Sequence, residues 1–510
     1  MVQAIQERER VTREIRAAVR HSAVYGLGTV LAKAMGFLMI PFYTRYLNPV
    51  DYGILEILDL SMSLLGMFLN MGMTAALLRS YAGAPSHEEK RTAVSTAFLF
   101  AAATGLATFL LALGLIRPVS ALLFGPGVPS TYLLLSFSSF IAGYIANLPR
   151  TYLRALEASG RFVLVDSIGL FAMLVLNIYF IAVLKIGLLG ILLSSLIVAG
   201  FQAVLLSGWM LRKVGLRFGV PRLQEMVRFG LPLVFSNLAL FTLNFADRFF
   251  LQYLRSLEVV GIYAVGYKFA YMINYLLVQP FYVMWQSRMY TIHAQPEHPT
   301  IFRQIFVLYS LLLTYAGLAL SIFSPEIVRI MVDARFSSGQ DVIPVVALAY
   351  VFYGIGYYAQ LGMFLTNKTG AVGMVSAAAA VLNLGLNYFL ILHFGTLGAA
   401  WATLLSFVAI AVGSYWLSQR VCPLPLGAAR VAASVGIAVS LYLLARWWNP
   451  SSPGAALLLK AALLGGFPVL LWKARVLSQT EIDTLASAWE SGLARVLRIS
   501  GLRTGRAAGL

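Results

Sequence analysis

The chain has 510 residues, 60% of them hydrophobic and only 11% charged, with a mean hydropathy of +0.81. A soluble 510-residue protein has no use for that much apolar surface, so a water-soluble enzyme or binding domain is excluded. The net charge of +18 points first to nucleic acid, but the basic residues sit in short segments between long apolar runs, where a positive-inside bias places them.

Residues 3–20, QAIQERERVTREIRAAVR, are polar and helix-prone. Ile5, Val11, Ile15 and Val19 make a weak apolar stripe, so an interfacial basic helix and a frayed tail both fit. The basic start lacks a short apolar core followed by small residues, so no cleavable signal peptide is expected. Cys422 is the one cysteine, which excludes an intrachain disulfide. Apolar runs of about 20 residues, the length that crosses a bilayer, then recur along the chain. They are continuous rather than alternating, which favours helices over a barrel. Six spans are predicted near 22–43, 54–78, 93–116, 132–149, 162–184 and 187–211, and six more near 229–253, 260–286, 304–323, 343–365, 371–392 and 397–417. The last two lie near 431–448 and 455–472.

With the N-terminus inside, the outward Lys and Arg residues are Arg45, Arg117, Lys185, Arg248, Arg255, Arg329, Arg335 and Arg446. Lys33, Lys268 and Lys460 fall within spans, and the other 27 of the 38 lie on the inner side. The asymmetry supports an even number of spans and cytoplasmic termini. The expected fold is an all-α polytopic membrane protein of about fourteen transmembrane helices. Its expected segments are an N-terminal cytoplasmic stretch (1–21), a first six-helix lobe (22–215) and a cytoplasmic linker (216–228). A second lobe (229–420), two further helices (421–475) and a cytoplasmic amphipathic tail (476–510) follow. In that tail Ser478 and Glu481 have capping-box spacing, and Ile482, Leu485, Trp489, Leu493 and Val496 share one helical face.

The two six-span sets repeat. Gly53-Ile54 aligns with Gly261-Ile262 at an offset of about 208 residues, as does Leu184-Lys185-Ile186-Gly187 with Leu392-His393-Phe394-Gly395, and Gly190 with Gly398. Gly160 with Gly370 and Asn177 with Asn387 slip by two residues. Each copy holds an even number of spans, so both enter the membrane from the same side, as parallel repeats do in some secondary transporters.

The stretch GLGTVLAKAMGFLMIPFYTRYLNPVDYGILEI resembles the start of bacterial polysaccharide-biosynthesis membrane proteins. These are the oligosaccharide-lipid flippases of the superfamily that also holds multidrug/toxic-compound extruders and lipid II flippases. ADRFFLQYLRSLEVVGIYAVGYK is similar to their second-lobe pattern of Asp-Arg, a short apolar run, Gly-Ile-Tyr and a later Lys. The resemblance covers about residues 20–420. It implies inner-to-outer-leaflet transfer of an undecaprenyl-pyrophosphate-linked oligosaccharide in a bacterial plasma membrane, with a polysaccharide polymerase and assembly proteins as expected companions.

Charged groups at membrane depth are costly, about 2.5–3.5 kcal/mol each on insertion scales, unless they meet partners or water. Lys33 in the first lobe, and Arg248 and Lys268 in the second, are the candidate contacts to a diphosphate held between the lobes. The competing structural readings are an Asp247–Lys268 ion pair, Arg248 snorkelling to the outer interface, and Lys33 pairing with Asp59. Asp247 and Arg248 are neighbours on one helix and are not expected to share a face. Asp59, Asp247 and Glu56 are candidate ion-coupling or supporting carboxylates, with Glu56 read first as an interface residue. Arg79 and Arg150 are loop anchors or guides for an anionic headgroup, and Asp166 a boundary residue near Arg161. Tyr267, Tyr271, Tyr275, Tyr282 and Trp285 recur at helical spacing and read as packing before a sugar-stacking wall. The histidines are scattered, and neither a metal-ligand spacing nor a phosphate-cradling loop is visible. No cofactor is expected. The rival functions are an antiporter for cationic drugs and a non-transporting scaffold of a polysaccharide-assembly complex.

Overall fold

The computed structural model describes residues 35–448, 450, 452–478 and 481. Lys33, the N-terminal stretch, most of the first expected span and the apolar face from Ile482 to Val496 lie outside the described residues. Among the described residues all regular structure is helical. In chain order the helices are α1 (Ile40–Tyr46), α2 (Pro49–Asn70), α3 (Met73–Gly83), α4 (His87–Phe124), α5 (Ser130–Ala155), α6 (Ser159–Ile178), α7 (Leu188–Val214) and α8 (Val220–Leu254). They continue as α9 (Leu257–Ile273), α10 (Gln279–His293), α11 (His298–Met331), α12 (Ile343–Ala359), α13 (Leu361–Leu365), α14 (Thr369–Val421), α15 (Ala428–Trp447) and α16 (Pro453–Lys473). A π turn (Tyr179–Val183) extends α6, a second (Asn274–Val278) joins α9 to α10, and a 3₁₀ segment (Ala334–Val342) precedes α12.

Ten helices among the described residues are long and apolar enough to cross a membrane, or eleven when Val220–Pro232 and Asn237–Leu254, bent by 49°, count as one span. Pro232, which lacks the N–H that would continue the ladder, closes the first of these two segments. α14 contains both expected spans eleven and twelve, hinged at Gly395. The eighth expected span is carried by α9, the π turn and α10. Bulky apolar residues left uncovered, such as Phe201, Val204, Val381 and Trp447, suit lipid contact. The chain is a multi-pass membrane protein.

The helix α4 starts ahead of its apolar run because its N-terminus is capped. Ser86 accepts from the Glu89 N–H at 3.2 Å, and Glu88 and Glu89 stand in the first turn of α4, where the helix dipole favours negative charge. The expected linker 216–228 is mostly helix, since α8 already begins at Val220. Its short non-helical part is fastened to α4: the Arg217 and Gly219 N–H groups donate to Ser95 and Thr96 at 2.8 and 3.0 Å. Charge pairs Arg217–Glu88 and Arg222–Glu89 reinforce the junction.

Packing divides the chain into two compact units. One comprises the described residues up to Lys268 with Ile327–Val342 and Ser376–Thr403; the other comprises Phe269–Glu326, Ile343–Val375 and the described residues from Leu404. The first unit has a core of Met73, Leu77, Val94, Phe98, Tyr144, Leu148, Met210 and Met226, drawn from α3, α4, α5, α7 and α8. In the second, Phe281 stacks on Tyr309 and Trp285 on Tyr358, with ring centroids 3.7 and 4.6 Å apart. Trp285 is thus a packing residue, as is Tyr271, which meets Tyr350 edge-on. The predicted capping box is present: the Ser478 N–H donates to Glu481 at 2.7 Å, and Glu481 also pairs with Arg430 at 3.2 Å.

The sequence repeat has a backbone counterpart. Gly187 adopts φ 58°, ψ −135° and Gly395 adopts φ 58°, ψ −127°, an unusual conformation at matched positions that only glycine enters at low cost. Between Asn177 and Gly187 the first copy has two residues more than the second has between Asn387 and Gly395. The π turn Tyr179–Val183 and the left-handed Lys185 (φ 55°) take up the surplus, which accounts for the two-residue slip.

Candidate functional site

Three helices of the first unit build the site: α2, α8 and α9. Asn48 caps α2 by accepting from the Asp51 N–H at 2.7 Å, and Pro49 sets its first turn. Helical spacing then lines up Tyr52, Glu56 and Asp59 along one stripe. On α9 the same geometry stacks Tyr263 and Tyr267, one turn apart. Gly53 and Gly261 let α2 and α9 approach backbone to backbone. A Cβ on Gly53 would overlap the Leu257 carbonyl, and one on Gly261 would overlap the Pro49 carbonyl.

That approach brings together charges from different helices. Lys268 Nζ lies 3.0 Å from Glu56 Oε2 and donates to the Tyr52 hydroxyl at 3.1 Å. Glu56 is 7% exposed, not an interface residue. Its other oxygen is 3.8 Å from Arg248 Nε. Arg248 is 1% exposed and its Nη1 donates to Asp247 Oδ1 and to the Asn244 carbonyl, both at 2.6 Å. Its guanidinium carbon stands 3.7 Å over the Tyr267 ring, and the Tyr263 hydroxyl donates to Asp247 Oδ2 at 2.5 Å. Two cations and two carboxylates thus cancel within one cluster that is buried except at Lys268, which is how such groups survive out of water.

Several expected partnerships are corrected by this geometry. Asp247 does not pair with Lys268; it is saturated by Arg248 and Tyr263, while Lys268 turns to α2. Arg248 does not snorkel to the interface. Adjacent residues do point about 100° apart on a helix, but the long arginine stem folds back toward Asn244 and so reaches the neighbouring carboxylate. Arg248 is sealed by rings and carboxylates and offers no face to a ligand in this structure, whereas the Lys268 side chain keeps 39% of its surface exposed. Asp59 is exposed on α2. Its proposed partner Lys33 lies outside the described residues.

Arg150 is half-buried, donates to the Ala146 carbonyl at 3.3 Å and stands 3.7 Å from Asp166, a pairing that sequence reading did not offer. Arg79 is exposed, with its guanidinium carbon 4.6 Å from the Phe229 ring centre. It lines a separate cavity of about 660 Å³. Reading the sequence alone missed Tyr52 and Tyr263 as hydrogen-bond partners and Arg228 beside Arg79. The one available signal was the i, i+4 spacing of Tyr52 with Glu56.

The sequence profile of a family described as polysaccharide biosynthesis protein matches residues 18–284, just over half of the chain. A stretch of 112 residues is 32% identical to the probable low-salt glycan biosynthesis flippase Agl15 of Haloferax volcanii, spanning 22% of this chain and 24% of that protein. The chain therefore matches about a quarter of that relative's length. The fold is similar to that of the lipid II flippase MurJ in its inward closed conformation, with a TM-score of 0.70 at 12% identity over 90% of this chain and 100% of that one. It is also similar to an inward-facing multidrug resistance MATE family transporter of the MOP superfamily, with a TM-score of 0.61 at 14% identity over 79% of this chain and 95% of that one. At such identities the structures share architecture. The match over half its length makes this chain a member of the polysaccharide biosynthesis protein family.

Proposed function

We propose that the protein is a flippase carrying an undecaprenyl-pyrophosphate-linked oligosaccharide from the inner to the outer leaflet of a bacterial plasma membrane by alternating access. The reading puts both termini in the cytoplasm, as the Lys and Arg asymmetry suggests. The observation that carries it is the neutral cluster of Glu56, Lys268, Asp247 and Arg248 at the joint between matched helices of two repeats. Intramembrane ions are costly and are retained where a polar passenger or a moving joint uses them. Support comes also from a partial sequence relative that is a probable glycan flippase and from the likeness of fold to a lipid II flippase.

Within this reading Lys268 is the diphosphate contact, because it alone of the two described cations keeps accessible surface. A diphosphate would compete with Glu56 for the ammonium. Arg248 positions Glu56 and Asp247 without touching the passenger. Lys33 remains the proposed first-lobe contact, and Asp59 a candidate coupling carboxylate.

The test is a leaflet-resolved assay in proteoliposomes with a labelled lipid-linked oligosaccharide. Protein-dependent appearance of label in the far leaflet is expected, slowed about tenfold or more in Lys268→Gln, as for loss of one charge-assisted contact. A correctly folded protein that moves no label would end the proposal. Efflux of a cationic drug in the same vesicles would favour the antiporter instead.

A further inference from the structure

A second charged feature lies in the first unit and shares no residue with the cluster. The cavity of about 660 Å³ is walled by Ala76, Arg79 and Ser80 from α3 and by Gln224, Arg228 and Phe229, among others, from α8. That volume is in the range of small-molecule sites, with room for a diphosphate and an attached sugar.

Its charges are unbalanced. The neighbouring carboxylates are already engaged: Glu88 by Arg217, Glu89 by Arg222, and Glu225, which also lines the cavity, by Arg222 at 3.2 Å. No ion pair among the described residues includes Arg79 or Arg228. The Phe229 ring holds the Arg79 guanidinium in place at one face, leaving its edge donors available. Ser80 adds a buried hydroxyl that has no hydrogen-bond partner among the described residues. The first turns of α8, through Pro221 and Gln224, bring the positive end of that helix dipole to the same wall.

We infer that this cavity binds the phosphate groups of a lipid headgroup, with Arg79 and Arg228 as paired guanidinium donors. Planar guanidinium groups suit bidentate contact with phosphate oxygens. Two lipids carry that chemistry, the diphosphate carrier and an ordinary anionic phospholipid. Assignment to the carrier rests on the transport proposed above. In that case the cavity is a docking point for the headgroup apart from Lys268.

The experiment uses the full chain in nanodiscs. Inorganic pyrophosphate, a polyprenyl diphosphate, and phosphatidylglycerol set against a phosphatidylcholine background are the three probes, with binding read by native mass spectrometry. The double variant Arg79→Gln, Arg228→Gln is expected to lose affinity about tenfold or more for at least one probe, and Arg79→Lys with Arg228→Lys to retain part of it. Loss confined to the diphosphates names the carrier lipid; loss confined to phosphatidylglycerol names a structural phospholipid and overturns the carrier assignment. Equal binding of every probe by wild type and the Gln double variant, both monodisperse, overturns the site. Leaflet transfer is followed in parallel. Arginine-dependent binding without transfer refutes the flippase and keeps the cavity, whereas transfer with arginine-independent binding refutes the cavity and keeps the flippase.

Discussion

Gly53 and Gly261 pack against each other reciprocally: each lies against the carbonyl that closes the preceding helical turn of the other's helix, Leu257 for Gly53 and Pro49 for Gly261. The repeat offset that relates the two glycines also relates Pro49 to Leu257. Two equivalent helices therefore meet at equivalent points, and the Glu56–Lys268 pair follows within two turns on the same helices.

Gly261→Ala is expected to destabilise the protein, because its methyl group meets backbone rather than a movable side chain. Overpacking of this kind costs about 1–3 kcal/mol. Gly53→Ala should behave alike, and the double variant should cost less than the sum, since one separation of α2 from α9 relieves both overlaps. Thermal unfolding of detergent-purified protein measures this; a Gly261→Ala variant melting with the wild type would mean the helices do not touch here.

Removing one member of the charged cluster should hurt more than removing two. Glu56→Gln leaves Lys268 with Tyr52 and leaves Arg248 with Asp247 as its remaining carboxylate. Breaking a fully buried pair costs about 3–5 kcal/mol, and the partial exposure of Lys268 places this loss below that range. Glu56→Gln with Lys268→Met is expected to recover part of the loss. Chemical denaturation of both single variants and the double gives the coupling energy, and additivity would show that the pair does not form.

In the second unit α16 is tied to α11 by Lys460 and Glu326, 2.6 Å apart and mostly buried. Lys460→Met should therefore loosen α16 selectively, leaving Glu326 in an apolar setting. Faster amide exchange in Pro453–Lys473, with the core of the first unit unchanged, is the expected result. Lys460→Met with Glu326→Leu should reverse it, as apolar replacement of a whole buried pair often does.

Asp333 gives a pH dependence outside the spans. Its carboxylate accepts from Arg335 Nε at 2.8 Å and from the Arg335 N–H at 3.1 Å, which holds it below the usual carboxylate range. Because the folded group titrates lower than the unfolded one, its stabilisation is present above the unfolded value of about 3.9 and is lost as pH falls through the folded value. The Arg335 guanidinium also donates to the Thr44 and Arg45 carbonyls, so this loop should loosen in acid. Asp333→Asn is expected to abolish that acid step in loop proteolysis, because the variant should be cleaved at neutral pH about as readily as the wild type is in acid.

Much of the architecture could be read directly from residue order. A span in a bilayer must be apolar for about 20 residues and must satisfy its own backbone, so Leu188–Val214 or Ala428–Trp447 announce themselves without any partner. The duplication was visible too, because Gly187 and Gly395 occupy a backbone conformation that few other residues tolerate. Even the Ser478–Glu481 cap was legible, being a local hydrogen-bond pattern.

Which charges neutralise one another was decided only by tertiary structure. Residue order offered an Asp247–Lys268 ion pair, yet the Gly53–Gly261 contact delivers Glu56 to Lys268 and leaves Asp247 to Arg248 and Tyr263. Likewise the pairing of Glu88, Glu89 and Glu225 with Arg217 and Arg222 singles out Arg79 and Arg228. Hydropathy is a property of each segment taken alone, whereas electrostatic partnership falls steeply with distance in a low-dielectric interior and is fixed by how closely particular helices can approach.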